Sequence, residues 1–194
     1  MKITGHTILV VNAGSSSIRF AVYDANDPRL RLLNGKVDRI GMTGANLMFD
    51  DSAGKSKVLR GPKSGNEGLA LSLLLDWLER QPVFASVKAV GHRLVHGMKH
   101  SEPERVTSKL LAELHRITPY DPDHLPREIA LIEALRKRHP GLAQVACFDT
   151  AFHRGMPKIA RLLPIPRRYW ARGIERYRFH GLSYTYLMEE VPKA

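Results

Sequence analysis

A short apolar run, a turn of six small residues and an alternating segment open the chain, and they restrict its fold more than anything that follows. Ile8–Val11 is continuous and apolar. Ile18, Phe20 and Val22 alternate with Arg19, Ala21 and Tyr23, the two-residue period of a half-buried strand. Asn12-Ala13-Gly14-Ser15-Ser16-Ser17, between them, is small, polar and turn-forming. The pattern predicts a β-hairpin over residues 7–23.

The following segments decide what kind of sheet this hairpin joins. Residues 32–60 carry weak strand signals broken by Gly35, Gly41, Gly44 and Gly54, and predict short antiparallel strands. Residues 66–80 predict a helix with Leu69, Leu73, Leu74, Trp77 and Leu78 on one face and Pro82 past its end. Val87–Val90 reads as a short buried strand running into Gly91-His92-Arg93-Leu94-Val95-His96-Gly97. Thr107 can cap a helix with Leu110, Leu111, Leu114 and Ile117 inside. Pro126 suits the first turn of the next helix, whose inner face is Ile129, Ile132 and Leu135. Val145–Phe148 is another buried strand, with Asp149 at its C-terminal end. Strands first, then alternating helix and strand, predict an α/β domain with a mixed sheet over residues 1–149.

Residues 150–194 read as the start of a second domain. They predict a short helix at 156–163, an extended piece bounded by Pro164 and Pro166, and a final helix that Ser183 can cap. So few residues cannot close a core of their own, and this domain is expected to be incomplete.

Composition narrows the setting. The lone Cys147 cannot staple the fold, no apolar run is long enough to span a bilayer, and Asn12 interrupts the first apolar stretch too early for a signal peptide. The expectation is a cytoplasmic protein without a membrane partner. The net charge of +11 raises a nucleic-acid alternative. Its excess gathers between Arg154 and Arg178, where eight basic residues face Glu175 alone. Such a stretch fits any polyanion, a solvated face, or a face covered by further protein. It lacks the aromatic platforms of known nucleic-acid modules, and no nucleic-acid partner is expected.

Four segments can carry chemistry, each with a structural reading beside the functional one. Gly14 lets the hairpin turn approach a ligand, and its amides and hydroxyls can donate to phosphate oxygens, with Arg19 adding charge; the alternative is a plain polar turn. Arg93 offers a planar fork for a carboxylate or phosphate; the alternative is a structural ion pair. His92 and His96 lack a third ligand for zinc. Asp149, in Phe148-Asp149-Thr150-Ala151-Phe152-His153, can hold a magnesium-bound water or cap a helix. His180, in Phe179-His180-Gly181-Leu182-Ser183, can stabilise an anionic transition state or merely be exposed.

In this order, the segments NAGSSS with Arg19, GHRLVHG, FDTAFH and RYRFHGLS resemble the acetate kinase family over the whole chain. The resemblance implies the ribonuclease-H-like fold of the actin, Hsp70 and sugar-kinase superfamily, with two domains around a cleft. It implies reversible phosphoryl transfer from ATP to acetate, with propionate or butyrate as alternative substrates and magnesium as cofactor. Position by position, it assigns Asn12 to magnesium, and Ser15, Ser17 and Arg19 to the phosphates of ATP. Arg93 falls to the carboxylate and the moving phosphoryl group, Asp149 and His180 to catalysis, and Val95 and Phe179 to the acyl pocket. His124 matches a His near that site.

The departures are specific. Arg19 replaces a Lys, Asp123 stands at an apolar pocket position, and Leu125 replaces the Asn after His124. Gly97-Met98-Lys99 replaces Gly-Gly-Glu, and Leu182 and Tyr184 replace Thr and His. They leave the reaction type in place and open the acyl preference. The family continues into a second domain with adenosine-binding loops, another catalytic Arg and a magnesium-binding Glu, and is usually homodimeric. The resemblance therefore implies an N-terminal half, truncated and with little turnover alone. The whole reading requires Arg93, Asp149 and the first hairpin to converge on one place.

Overall fold

The computed structural model describes residues 5–50, 56–61 and 65–193. Gly54 lies outside the described residues. β1 (Thr7–Ala13) and β2 (Ser17–Asp24) form the hairpin, with Leu9 opposite Val22 and Asn12 opposite Arg19. β3 (Arg31–Asp38), β4 (Asn46–Asp50) and β5 (Ser56–Arg60) continue it antiparallel. Gly35 does not interrupt this region. It lies inside β3, where a Cβ would overlap the Phe20 ring and the Met48 carbonyl oxygen, so the missing side chain makes room for an aromatic one.

On the other side of β1, β6 (Val87–Leu94) runs parallel to it. β7 (Glu104–Arg105) lies at the edge, antiparallel to β8 (Ala143–Phe148), which is parallel to β6. The sheet order is β5-β4-β3-β2-β1-β6-β8-β7. β6 is longer than the expected Val87–Val90: it continues to Leu94 and carries Arg93 into the sheet.

Three helices cover one face of the sheet. α1 (Glu67–Glu79) is capped by Asn66, whose side chain accepts from Leu69 N at 3.2 Å. It buries Ala70, Leu74, Leu75, Trp77 and Leu78, and leaves Leu69 exposed, so its apolar stripe is rotated from the expected one. α2 (Ser108–Ile117) is capped by Thr107 through Leu110 N at 3.1 Å, and α3 (Leu125–Arg138) has Pro126 in its first turn. Their inner residues pack on Leu94, Ala146 and Phe148, while α1 and the C-terminal half of α3 pack on Leu9, Val11, Phe20 and Val22.

The opposite face is open, with Ile8 and Val10 more than a third exposed. Alternation puts Asn12 on that face with Val10, and Arg93 with Gly91. Asn12 and Arg93 are register partners on parallel strands, so their side chains stand next to one another at the C-terminal end of the sheet.

Residues 151–193 contain short helices and no strand. α4 spans only Lys158–Arg161, less than the expected 156–163, because Pro157 starts it and Leu162 already turns extended. α5 (Gly181–Glu190) begins two residues before Ser183, with His180 at its cap position in the left-handed region. Ser183 is therefore not the cap. No helix among the described residues is long and apolar enough to cross a membrane.

Candidate functional site

The ends of β1, β6 and β8 meet on the open face, and a single guanidinium ties them together. Arg93 Nη1 donates to Asn12 Oδ1 at 3.0 Å, and Arg93 Nε and Nη2 donate to Asp149 Oδ2 at 3.0 and 2.6 Å. The required convergence is present. The ion-pair reading of Arg93 is also correct, since its partner is another of the singled-out residues. Of the five N–H groups of a guanidinium, these bonds use three and leave two for a ligand.

Asp149 is not a helix cap; the turn after it has Thr150 in that place. Its backbone N donates to Leu94 O at 2.9 Å, which locks the end of β8 to the end of β6. Its side chain is 2% exposed, and Oδ2 takes a third donor, His180 N, at 3.2 Å. Oδ1 makes no hydrogen bond and is not among the fully buried polar atoms without a partner, so it keeps some contact with solvent. Gly181 N donates to Asp149 O at 3.1 Å, and a Cβ on Gly181 would overlap that oxygen. Glycine is required for this approach. His180 itself has φ 61°, and its exposed imidazole has no hydrogen-bond partner among the described residues.

The hairpin turn stands beside this cluster. Gly14 N donates to Ser17 O at 2.8 Å and closes it. Ser15 is exposed and Ser17 half-buried. Arg19, opposite Asn12, shares the open face with Lys36, its partner on β3. Asn12, Arg19 and Lys36, with Tyr23 and Asn34, border a groove of about 440 Å³.

The two expected acyl-pocket residues separate. Phe179 packs against His96 and lines a cavity of about 300 Å³ with Met98, Tyr120, Ile174 and Tyr177. Val95 is buried and is not in its lining; its contribution is a backbone N that donates to Glu128 Oε1 at 3.1 Å. Asp123 is exposed, and Tyr120 supplies a wall in its stead.

Two site-bordering residues escaped the sequence reading. Glu128 is buried beneath Val95, and burial pushes its carboxyl up to about 8. Arg127 reaches the hairpin turn from α3, donating to Gly14 O at 2.9 Å and to Ser15 O. Signals existed for both. Glu128 lies four residues before Ile132, on the inner stripe, and Arg127 puts a cation in a first helical turn, where the dipole disfavours it.

The histidines of GHRLVHG both make hydrogen bonds within the chain. His92 Nε2 meets Gln144 Oε1 at 2.7 Å, and burial lowers its imidazole to about 4. His96 Nδ1 accepts from Met98 N at 3.1 Å, and burial lowers it as well. Among the described residues, no group of three His, Cys, Asp or Glu side chains could hold a metal ion. Asp149 Oδ1 and the second lone pair of Asn12 Oδ1 are what remain, which fits an ion carried mainly by phosphates and water.

The residue pattern of the Acetokinase family matches residues 7–194. The acetate kinase of Rhodopseudomonas palustris (strain TIE-1) is 37% identical over 189 residues, covering 95% of this chain and 48% of its own length. That of Dichelobacter nodosus (strain VCS1703A) is 38% identical, with coverage of 95% and 46%. The chain thus spans about half the length of these curated relatives. Among solved structures, a propionate kinase from Francisella tularensis superposes with a TM-score of 0.86 at 29% identity, covering 97% of this chain and 48% of its own. Porphyromonas gingivalis acetate kinase gives 0.81 at 31% identity, covering 93% and 46%. The fold is that of these kinases, the actin-like ATPase class with a mixed sheet.

Proposed function

The chain belongs to the acetokinase family, and on that premise we propose that it forms the carboxylate- and phosphoryl-binding side of the cleft of an ATP:carboxylate phosphotransferase. The observation that carries this reading is Arg93 bridging Asn12 and Asp149 at the ends of three adjacent strands.

In the proposed reaction, a carboxylate oxygen attacks the terminal phosphorus of ATP in line. A carbon-bound oxygen gains the phosphoryl group, the bond from that phosphorus to the bridging oxygen breaks, and ADP leaves with the electron pair. No net proton moves, so the protein has to position groups and offset charge rather than supply a strong base. Arg93 directs its two unused N–H groups at the moving phosphoryl oxygens. The His180 imidazole, held at the start of α5, adds a donor. Asp149 acts through Oδ2, fixing Arg93 and the His180 amide, while Oδ1 would accept from a magnesium-bound water. Magnesium carried by the nucleotide would screen the leaving phosphates. Ser15, Ser17 and Arg19 face those phosphates. The 300 Å³ cavity beside Phe179 takes the acyl chain and has room for propionate or butyrate as well as acetate. Residues 1–149 act as one domain, residues 150–194 as the beginning of the next, and the complete assembly as a homodimer.

A nucleic-acid surface over 154–178 has less support. Lys158 and Arg161 already lie 5.5 and 5.4 Å from the Trp170 ring, and Arg168 lies 5.0 Å from that of Tyr169. The rings that would stack on bases are covered by the chain's own cations.

The test is binding of acetyl phosphate to this chain, followed in ¹H–¹⁵N spectra, alongside trapping of acyl phosphate by hydroxylamine when ATP, magnesium and each carboxylate are supplied. Acetyl phosphate is expected to perturb Asn12, Arg93 and Asp149, and Arg93→Ala to abolish this. An unperturbed site, or equal binding by the variant, overturns the reading whether or not the chain turns over.

A further inference from the structure

The turn between β1 and β2 is held from behind, and the way it is held decides which of its groups face outward. Arg127 Nη1 donates to both Gly14 O and Ser15 O. Ser16 O accepts from Ile40 N at 3.1 Å. Three consecutive carbonyls are thereby occupied by donors of the chain itself. In a trans peptide the N–H points opposite to the C=O of the same unit. Carbonyls 14 and 15 both point at Arg127, so the amides of Ser15 and Ser16 both point away from it. Neither amide has an acceptor among the described residues, and both serines are exposed.

Arg127 is itself fixed. Its Nε donates to Glu67 Oε2 at 3.3 Å and its Nη2 to Glu67 Oε1, so a carboxylate in the first turn of α1 grips the fork from the far side. The Arg127 side chain is only 16% exposed. Gly41, at φ 80°, stands over the same carboxylate, where a Cβ would press on Glu67 Oε1. Helices α1 and α3 thus both reach the turn through one ion pair.

We infer that Arg127, anchored by Glu67, is a positioning residue that turns the Ser15 and Ser16 amides outward into a cradle for a phosphate oxyanion. The inference rests on the phosphate-facing role proposed for this hairpin and deepens it. It assigns the recognition to two particular backbone donors, the Ser15 and Ser16 amides, an arrangement suited to anions. Arg127 does this through hydrogen bonds to carbonyls and touches no ligand. A planar fork is needed, because one guanidinium must serve two carbonyls and a carboxylate together.

Inorganic pyrophosphate, titrated into the chain and followed by ¹H–¹⁵N spectra, tests this. In the wild type, the Ser15 and Ser16 amides are expected to shift and saturate together. Arg127→Ala should weaken that response about tenfold or more, and Arg127→Lys should recover only part of it, because the charge returns without the fork. Glu67→Gln separates orientation from charge. It removes a negative charge near the turn, so a purely electrostatic role predicts tighter pyrophosphate binding, whereas a positioning role predicts weaker binding. Dispersion of the remaining resonances reports whether each variant is folded; if Arg127→Ala is not, the Arg127→Lys and Glu67→Gln pair decides. Tighter binding by Glu67→Gln, or undiminished binding by either Arg127 variant, overturns the inference. A wild type whose Ser15 and Ser16 amides ignore pyrophosphate removes the phosphate reading of the hairpin itself.

Discussion

Arg93 and Asp149 hold one another through a single carboxylate oxygen: both Nε and Nη2 of the arginine donate to Oδ2. The carboxylate is 2% exposed and the guanidinium 19%, so removal of either strands the other in a poorly hydrated place. Breaking a fully buried pair costs about 3–5 kcal/mol, and the partial exposure of Arg93 lowers that here. Asp149→Ala is expected to reduce the free energy of urea unfolding by about 2 kcal/mol. Adding Arg93→Ala should restore part of the loss, because no unpaired charge remains. Strict additivity in this double-mutant cycle would mean that the two side chains do not interact in solution.

Glu128 makes stability depend on pH in a definite direction. Burial raises its carboxyl from 4.5 to about 8, opposed by its hydrogen bond from Val95 N and by the charge of Arg93. Between these two values the folded chain keeps a proton that the unfolded chain has released. The favourable contribution is therefore complete below about 4.5 and is lost as pH rises through about 8. Glu128→Gln keeps an oxygen for Val95 N and removes the titration. Its unfolding free energy should match the wild type near pH 4 and exceed it above pH 8 by up to roughly 5 kcal/mol. Parallel curves for the two proteins across that range would contradict the buried, protonated carboxyl.

The hairpin and the capped helices were legible in sequence because their signals are local. Ile18, Phe20 and Val22 mark a strand wherever it pairs, and Thr107 caps α2 with no help from the rest of the fold. The site was legible as segments but not as geometry. Nothing local places Asn12 level with Arg93; that follows from the parallel pairing of β1 and β6, strands separated along the chain by four others and α1. Leu69 failed for a similar reason. Several apolar stripes can be drawn on a leucine-rich helix, and the tertiary partners, here Phe20 and Phe49 around Trp77, select one. Ser183 had cap chemistry, yet the helix starts earlier because Gly181 can press on the Asp149 carbonyl.

His180 and Gly181 carry opposite stability consequences. At φ 61°, His180 sits where an L-residue pays roughly 1 kcal/mol, so His180→Gly should raise stability by up to about that amount while removing the imidazole proposed to meet the phosphoryl group. Gly181→Ala should do the reverse. Its Cβ would overlap Asp149 O and press on Phe152 Cβ, displacing α5 at a cost of about 2 kcal/mol. Urea denaturation of both variants checks the pair. An alanine variant as stable as the wild type would show that α5 does not seat on Asp149.

The cavity beside Phe179 yields a prediction about acyl length. Phe179 immediately precedes His180, whose amide donates to Asp149, so the apolar lining begins one residue from the proposed reacting centre. His96, Met98, Ile174 and Tyr177 complete the lining of a cavity of about 300 Å³, more than a single methyl group fills. Each further methylene buried there contributes about 0.8 kcal/mol, close to fourfold in affinity. Binding of acetyl, propionyl and butyryl phosphates should therefore tighten in that order, and Phe179→Ala should flatten the series by leaving one wall to solvent. Tyr177→Phe keeps the ring that packs on His96 and should preserve it. If affinity falls from acetyl to butyryl phosphate in the wild type, the cavity is closed to the acyl chain, and the carboxylate must enter beside Arg93 from the groove over the open face of the sheet.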